Sequence, residues 1–363
     1  MGRREFMRLA ALTTTTTLLA GCGADAPQRA GEPPLSATPA ATASGASGGG
    51  GMGAGATAVV PERFASFITP NEHFYITVYS SVEPDIDRAS WSLSIRGLDG
   101  REKRLSYASL VKHPAALDRM VTMECVGNGV GGSLISNAIW RGVPLAALLN
   151  DFGIEGQPYK VVFRAADNYH TAVPLEVAMD GYSMLAWQMN GVDLPRNHGY
   201  PVRVIIPGKY GMKSPKWLTS IELVDSDYLG YWESRGWDDV ATIVPFSRFT
   251  NPLRFTEVQP GRIPVEGLAF AGAQPIAAVE ISEDRRQSWH PAQITTDPAP
   301  FVWSFWRYEW DLSVVSRRSS AQLALRCSDA AGRRQREKAP PQLPDGLQTQ
   351  DAGYDTLELI VQS

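Results

Sequence analysis

Hydrophobic and polar positions change rhythm twice along this chain, and each change predicts a different architecture. Between residues 64 and 245 the apolar runs are short and of two kinds. Residues 91–97 alternate at period two, which predicts a strand, and Leu98-Asp99-Gly100 closes it in a turn. Residues 161–165, 202–206 and 218–224 are apolar enough to be buried strands. Residues 144–153 predict a helix, with a proline at the start, Leu145, Leu148 and Leu149 inside, and a glycine at the end. Residues 106–112 and 174–179 predict shorter helical turns. Strands and helices without a regular βαβ rhythm predict an α+β domain rather than a doubly wound sheet.

From about residue 252 the helical period disappears. Residues 262–271, 276–282, 301–310, 322–327 and 356–361 are strand-like and separated by turn residues, which predicts a small antiparallel sandwich. Ahead of both regions the pattern is lost. All but eight of residues 23–60 are Ala, Gly, Pro, Ser or Thr, a composition too poor in apolar surface to offset its ordering entropy. The predicted organisation is an address segment over 1–22, a disordered linker over 23–60, a first domain over 61–250 and a second over 251–363.

The address reading rests on a few residues. Arg3-Arg4, followed by Glu5, Phe6, Met7 and Arg8, resembles a twin-arginine export signal. The moderately apolar stretch 9–20 is too short and too rich in threonine to span a bilayer. Leu19-Ala20-Gly21-Cys22 resembles the lipobox of bacterial lipoproteins, which implies acylation at Cys22 and a periplasmic or cell-envelope location. An ordinary cleaved signal with an incidental cysteine is the alternative. The formal charge is −4, and removing residues 1–22 with Arg3, Arg4, Arg8 and Glu5 takes it to −6. With no basic tract, nothing points to a nucleic acid.

Candidate chemistry concentrates in residues 194–218. A polar loop with His198 leads into the apolar strand that carries Arg203, and Pro207-Gly208 opens a glycine-punctuated loop with Lys209, Lys213, Ser214 and Lys216. A flexible basic loop at the end of a buried strand suits a phosphorylated ligand, although a solvated basic loop has the same composition. Arg203 would supply a rigid fork and Lys216 a mobile point charge. Of the three cysteines, Cys22, Cys125 and Cys327, the last two allow one disulfide. The competing reading makes Cys125 a metal ligand, because Thr122–Asn128 places it where a strand meets a glycine-rich loop with room for a bulky cofactor. No Walker, CxxC or CxxCH sequence is present, so nucleoside triphosphate, iron–sulfur and attached haem lack support.

These segments together resemble the sulfite oxidase family of molybdenum enzymes. Ile68-Thr69-Pro70-Asn71-Glu72-His73-Phe74-Tyr75 is similar to that family's entry segment, and Glu124-Cys125-Val126-Gly127-Asn128 to its metal-ligand loop. The hairpin 279–289 is similar to one in its C-terminal immunoglobulin-like dimerisation domain. The resemblance implies molybdenum held by Cys125 and by molybdopterin. Tyr75, Ile76, Asp167, His198, Arg203, Ser214, Pro215 and Lys216 then fall on cofactor-binding positions. It also implies oxygen-atom transfer on a small sulfur substrate, a homodimer, and electrons exchanged with a separate cytochrome or quinone-linked subunit.

The chain departs from that family where substrate would sit. Ile76-Thr77-Val78-Tyr79 replaces a run containing an arginine, and Gly129 and Val130 stand where arginines follow the cysteine. Trp187 occupies the position of a tyrosine, and an indole cannot become a phenolate. Trp187 and Tyr79 are therefore expected in the substrate pocket, with Arg141 and Lys209 as anion contacts. A dianion binds poorly without paired cations. Residues 209–216, KYGMKSPK, are closer to a sulfoxide-reducing branch of the same superfamily. Sulfoxide or N-oxide reduction, and a catalytically inactive surface lipoprotein that only binds a partner, are the alternatives.

Overall fold

Period-two segments dominate the first half once tertiary pairing is visible. The computed structural model describes residues 62–80, 82–316, 319–337 and 353–362, so the export, lipobox and linker readings lie outside the described residues. In chain order the first half holds β1 (Ser92–Arg96), β2 (Glu102–Ser106), β3 (Leu117–Glu124), β4 (Ile135–Pro144), β5 (Lys160–Ala165), β6 (His170–Pro174), β7 (Met184–Met189), β8 (Val192–Asp193), β9 (Arg203–Ile205) and β10 (Leu218–Val224). Its helices are short: α1 (Tyr107–Leu110), α2 (Leu145–Phe152) and α3 (Leu175–Ala178). The α+β expectation is thus corrected toward strand. β3, β4 and β7 carry much of this difference, because their buried residues run consecutively over 121–124, 135–138 and 184–187, with no alternation to read there.

Two sheets share the first core. One has the order β2-β1-β10-β5-β6, with β1 and β10 parallel. The other runs β3-β4-β7-β8, with β9 added along β7. Helix α2 starts after Pro144 and ends at Gly153, whose φ of 78° a side chain would resist. Its buried Leu145, Leu148, Leu149 and Phe152 join Leu93, Ile95, Phe163 and Ile221 of the first sheet in one core. Strand β7 separates that core from a second one. Leu185 and Trp187 point into the first, Met184 and Ala186 into a smaller cluster with Phe74, Tyr75, Met123 and Trp140.

The second half begins with β11 (Phe246–Asn251), which runs across the boundary expected at 250/251. It continues through β12 (Glu257–Val258), β13 (Arg262–Phe270), β14 (Ile276–Ser282), β15 (His290–Pro291), β16 (Gln293–Ile294), β17 (Ser304–Asp311), β18 (Ser319–Asp329) and β19 (Asp355–Val361). These form two sheets, β11-β13-β17-β16 and β12-β19-β18-β14-β15. Phe249, Val265, Trp306 and Trp310 of the one pack against Val279, Ile281, Leu323, Leu325, Leu357 and Leu359 of the other. The hairpin around Glu283-Asp284 forms, with Glu280 opposite Pro291 and Ile281 opposite His290. Asp284 holds its turn by accepting from the backbone N–H groups of Gln287 and Ser288.

Among the described residues Cys125 and Cys327 are free thiols, so the disulfide reading is set aside. Cys327 lies fully buried in β18 and donates toward the Phe246 carbonyl at 3.4 Å. The second half also touches the loop that carries Cys125. Thr122 of β3 donates its N–H to the Phe301 carbonyl at 2.9 Å, and its hydroxyl oxygen accepts from Trp303 N–H at 2.9 Å. Arg248 of β11 donates to the Gly132 carbonyl and lies over the Phe64 ring at 4.2 Å.

Candidate active site

Cys125 follows the last residue of β3, and the backbone keeps it there. Its N–H donates to the Leu134 carbonyl at 2.9 Å, continuing the β3–β4 ladder by one step. Its carbonyl accepts from Asn128 N–H at 3.0 Å, turning the chain at once. The Asn128 side chain donates to Glu124 at 2.9 Å and accepts from Leu134 N–H at 2.9 Å, bracing the loop from inside. Gly132 is required, because a Cβ there would lie 2.5 Å from Asn128 Oδ1 and 2.5 Å from the Gly129 carbonyl. The half-buried thiol faces a cavity of about 300 Å³, the size of a small-molecule site.

Three more segments close on the same cavity. Residues 74–79 contribute Tyr75, Ile76, Thr77, Val78 and Tyr79. The turn after β5 contributes Asp167 and Tyr169, and the β9 region contributes His198, Arg203, Ser214, Pro215 and Lys216. Gly199 makes the last group compact. At φ 110° it sits where a Cβ would lie 3.0 Å from Arg203 Cβ and 3.1 Å from Lys216 Cα. Val204 N–H donates to the Pro215 carbonyl at 2.9 Å and Leu218 N–H to the Val202 carbonyl at 2.9 Å, folding the lysine loop back onto β9.

The cationic end of the cavity is short of negative charge. The buried Arg203 guanidinium donates to the carbonyls of His198 at 3.0 Å and Ser214 at 3.1 Å, and stands over the Trp140 ring at 5.1 Å. Among the described residues these carbonyls, with that of Val204 at 3.5 Å, are its hydrogen-bond partners, and none carries a charge. Burial pulls its pKa down to about 10. Lys216 likewise donates to the carbonyls of Thr77 at 3.1 Å and Asn197 at 2.9 Å. Burial, then the Arg203 charge, pull its pKa down to about 8. Ser214 Oγ accepts from Ile206 N–H at 3.0 Å, which leaves its own hydroxyl proton to donate. Two desolvated cations and a hydroxyl at one end of a cavity suit a phosphate group.

His198 is held neutral beside them. Burial first, and then the Arg203 charge, lower its pKa to about 4. Its Nε2 lies 3.1 Å from the Asn71 carbonyl, which can only accept, so Nε2 carries the proton and Nδ1 is left as an acceptor. A pH dependence follows. The unfolded histidine titrates near 6.5 and the folded one near 4, so the unfolded chain binds the proton first on acidification. In the cofactor-free protein His198 should remove about 3 kcal/mol of stability as pH falls from about 6.5 to 4. Urea denaturation of wild type and His198→Gln across that window checks it. Parallel curves would mean that the ring titrates normally.

The donor set also fits a metal held through a cofactor. Among the described residues no group of three or more His, Cys, Asp or Glu side chains could hold a metal by itself. A single cysteine facing a cavity with an anion-binding end requires the remaining ligands to come from the bound group. Burial raises the Cys125 pKa, opposed by hydrogen bonds from Gly127 N–H and Thr77, so the free thiol is protonated near neutrality. A soft metal removes that proton on binding.

Four expected contacts are corrected. Trp187 lies in the first core, because its place on β7 turns it to the face opposite Ala186 and the cavity. Arg141 pairs with Asp118 at 3.0 Å near the surface, and Lys209 donates to Thr242 at 2.9 Å; neither lines the cavity. Lys213, counted among the phosphate-binding lysines, is fully buried and bonded to Glu233, Asp239 and the Ala172 carbonyl. The sequence reading in turn missed Tyr169, Trp232 and Trp237, which line the cavity. The aromatic density of residues 228–237 was the available signal, but it has no period that would place it.

The oxidoreductase molybdopterin-binding domain family matches residues 79–232, which span Cys125 and the whole His198–Lys216 region. The chain is therefore a molybdopterin-binding oxidoreductase, with molybdenum as the metal of its cofactor. It is 31% identical over 321 residues to mitochondrial sulfite oxidase of Drosophila melanogaster, covering 75% of this chain and 56% of that one. It is 29% identical to sulfite oxidase of Gallus gallus, covering 66% of this chain and 62% of that one. The crystal structure of the sulfane dehydrogenase SoxCD from Paracoccus pantotrophus shares the fold, with a TM-score of 0.70, 22% identity and 82% of each chain covered. This protein belongs to the sulfite oxidase family. It spans somewhat over half the length of the two curated relatives compared.

Proposed function

We propose that this protein transfers an oxygen atom to or from a small sulfur compound and exchanges the electrons with a separate carrier, a cytochrome or a quinone-linked subunit. The observation that carries the reading is one cavity holding the Cys125 thiol together with His198, Arg203 and Lys216. The bound molybdenum cofactor would supply the two-electron oxygen-atom chemistry. The chain's own residues do the rest. Cys125 ligates the metal, Arg203, Lys216 and Ser214 hold the phosphate, and His198 offers Nδ1 as an acceptor to the pterin. Phe74 seats the His198 ring edge-on at 5.4 Å, and Tyr75 stacks on Phe74 at 5.3 Å.

The further parts of the reading rest on weaker supports. The twin arginine and lipobox support an exported protein of the periplasm or cell envelope, anchored by lipid at Cys22. The two facing sheets of the second half support an immunoglobulin-like domain and, through it, a homodimer. The absence of arginine from residues 76–79 supports sulfoxide or N-oxide reduction as a second reading.

Purified holoprotein tests both. Sulfite oxidation with ferricyanide, or sulfoxide reduction with reduced benzyl viologen, should appear and scale with molybdenum content. Full molybdenum loading with neither activity would refute oxygen-atom transfer.

A further inference from the structure

The cavity's two ends differ in chemistry, and at the outer end the sequence had pointed to Tyr79 but not to Tyr169, Trp232 or Trp237. The cavity's exposed lining residues are Ile76, Thr77, Val78 and Tyr79, with Ile76, Val78 and Tyr79 at 45%, 52% and 37% exposure, so this segment marks the mouth. Tyr169, Trp232 and Trp237 line the same cavity. The rings form a continuous wall. Tyr79 meets Tyr231 edge-on at 4.4 Å and Tyr169 at 5.5 Å, Tyr231 meets Trp232 at 4.9 Å, and Trp232 stacks on Trp237 at 4.5 Å.

Charge at this end does not favour an anion. The cationic side chains lining the cavity are Arg203 and Lys216, with His198 neutral, and a phosphate of two negative charges would take up both. Asp167 also lines the cavity and lies within electrostatic reach of Tyr79. Arg235 is the nearby exception. It is exposed, its guanidinium lies over the Tyr231 ring at 3.6 Å, and it donates to the Tyr231 carbonyl at 2.9 Å. It does not line the cavity.

We infer that the substrate is a neutral sulfur compound whose sulfur bears an aromatic or bulky alkyl group, and that this group packs against the Tyr79–Trp232–Trp237 wall. The inference rests on the oxygen-atom-transfer reading and adds the substrate class. An apolar wall gains from every ring carbon taken out of water, whereas a dianion entering the same mouth loses hydration without gaining a cation. In the reducing direction the sulfoxide S–O bond breaks, the oxygen leaves as water with two protons from solvent, and two reduced viologens supply one electron each.

Two measurements on the molybdenum-loaded protein test this. In steady state, kcat/KM for methyl phenyl sulfoxide should exceed that for dimethyl sulfoxide by about tenfold or more. Sulfite with ferricyanide should be poorer than the aryl substrate. The aryl-to-methyl ratio should fall several-fold in Trp232→Ala and in Val78→Ser, the latter at an exposed position that leaves the core intact. Independently, methyl phenyl sulfoxide should quench tryptophan fluorescence saturably, and more weakly in both variants. An equal or reversed ratio, or sulfite as the best substrate, overturns the substrate class and leaves oxygen-atom transfer standing. Saturable binding without turnover of any substrate does the opposite, supporting the aromatic subsite while removing the proposed reaction. Absence of both binding and turnover overturns the two together.

Discussion

Replacing Cys125 by serine should leave a folded protein whose molybdenum-dependent turnover is lower by more than about 100-fold, since changes merely adjacent to metal ligands already cost 10–100-fold. The thiol makes no disulfide, and the loop around it is held by backbone bonds to Leu134 and Asn128 that serine leaves intact. Stability of the cofactor-free protein should therefore move by less than about 1 kcal/mol, as for a polar swap at a partly exposed site. A serine hydroxyl is a much weaker acid than a thiol and a poor ligand for a soft metal. Metal content, thermal unfolding and viologen-linked turnover, measured on one preparation, separate these effects. Wild-type turnover in Cys125→Ser would remove the cysteine from the metal's coordination.

Lys213→Met should be the most destabilising single change near the cavity, at about 3–5 kcal/mol, because it strands a buried carboxylate. Glu233 Oε1 accepts from Lys213 and from Thr171 at 2.6 Å, and Oε2 has no hydrogen-bond partner among the described residues. Asp239 bridges Lys213 at 3.0 Å and the equally buried Lys160 at 2.7 Å. This network pins the segment that brings Trp232 and Trp237 to the cavity, so its loss reaches the substrate wall as well as the core. The melting temperature should fall by about 10 °C. Lys213→Met with Glu233→Gln should recover part of the loss, since the second change removes the stranded charge. A single variant as stable as wild type would show that the pair is dispensable.

Much of the fold was legible where periodicity is one-sided. The structure places strands at Leu218–Val224 and Ile276–Ser282, the ranges predicted, and helix α2 at Leu145–Phe152 within the predicted 144–153. Strands β3, β4 and β7 were not legible, because each holds a run of four consecutive buried residues in which no alternation can be detected. The second half was the more readable, since β17, β18 and β19 alternate over much of their length between buried and more exposed positions. In the site, short motifs with fixed spacing brought out His198, Arg203, Ser214 and Lys216, all of which reach one cavity with Cys125. The errors came from side chains whose direction is set by their element. Trp187 was misplaced by the two-residue period of β7, and Lys213 was counted as solvated although its loop turns it into the core.

Local chemistry alone therefore determined which residues this protein offers: a soft ligand beside a glycine loop, a histidine with an arginine five positions on and a lysine beyond it, and a segment, residues 76–79, without arginine. Those facts survive any arrangement of the chain, because they depend on residue type and short-range spacing. Only the tertiary structure decided which lysine faces the ligand, that the tryptophan on β7 turns away, and that two other tryptophans from a distant loop form the outer wall. The physical reason is that burial and facing are set by pairing partners far away in sequence, and no local pattern records them.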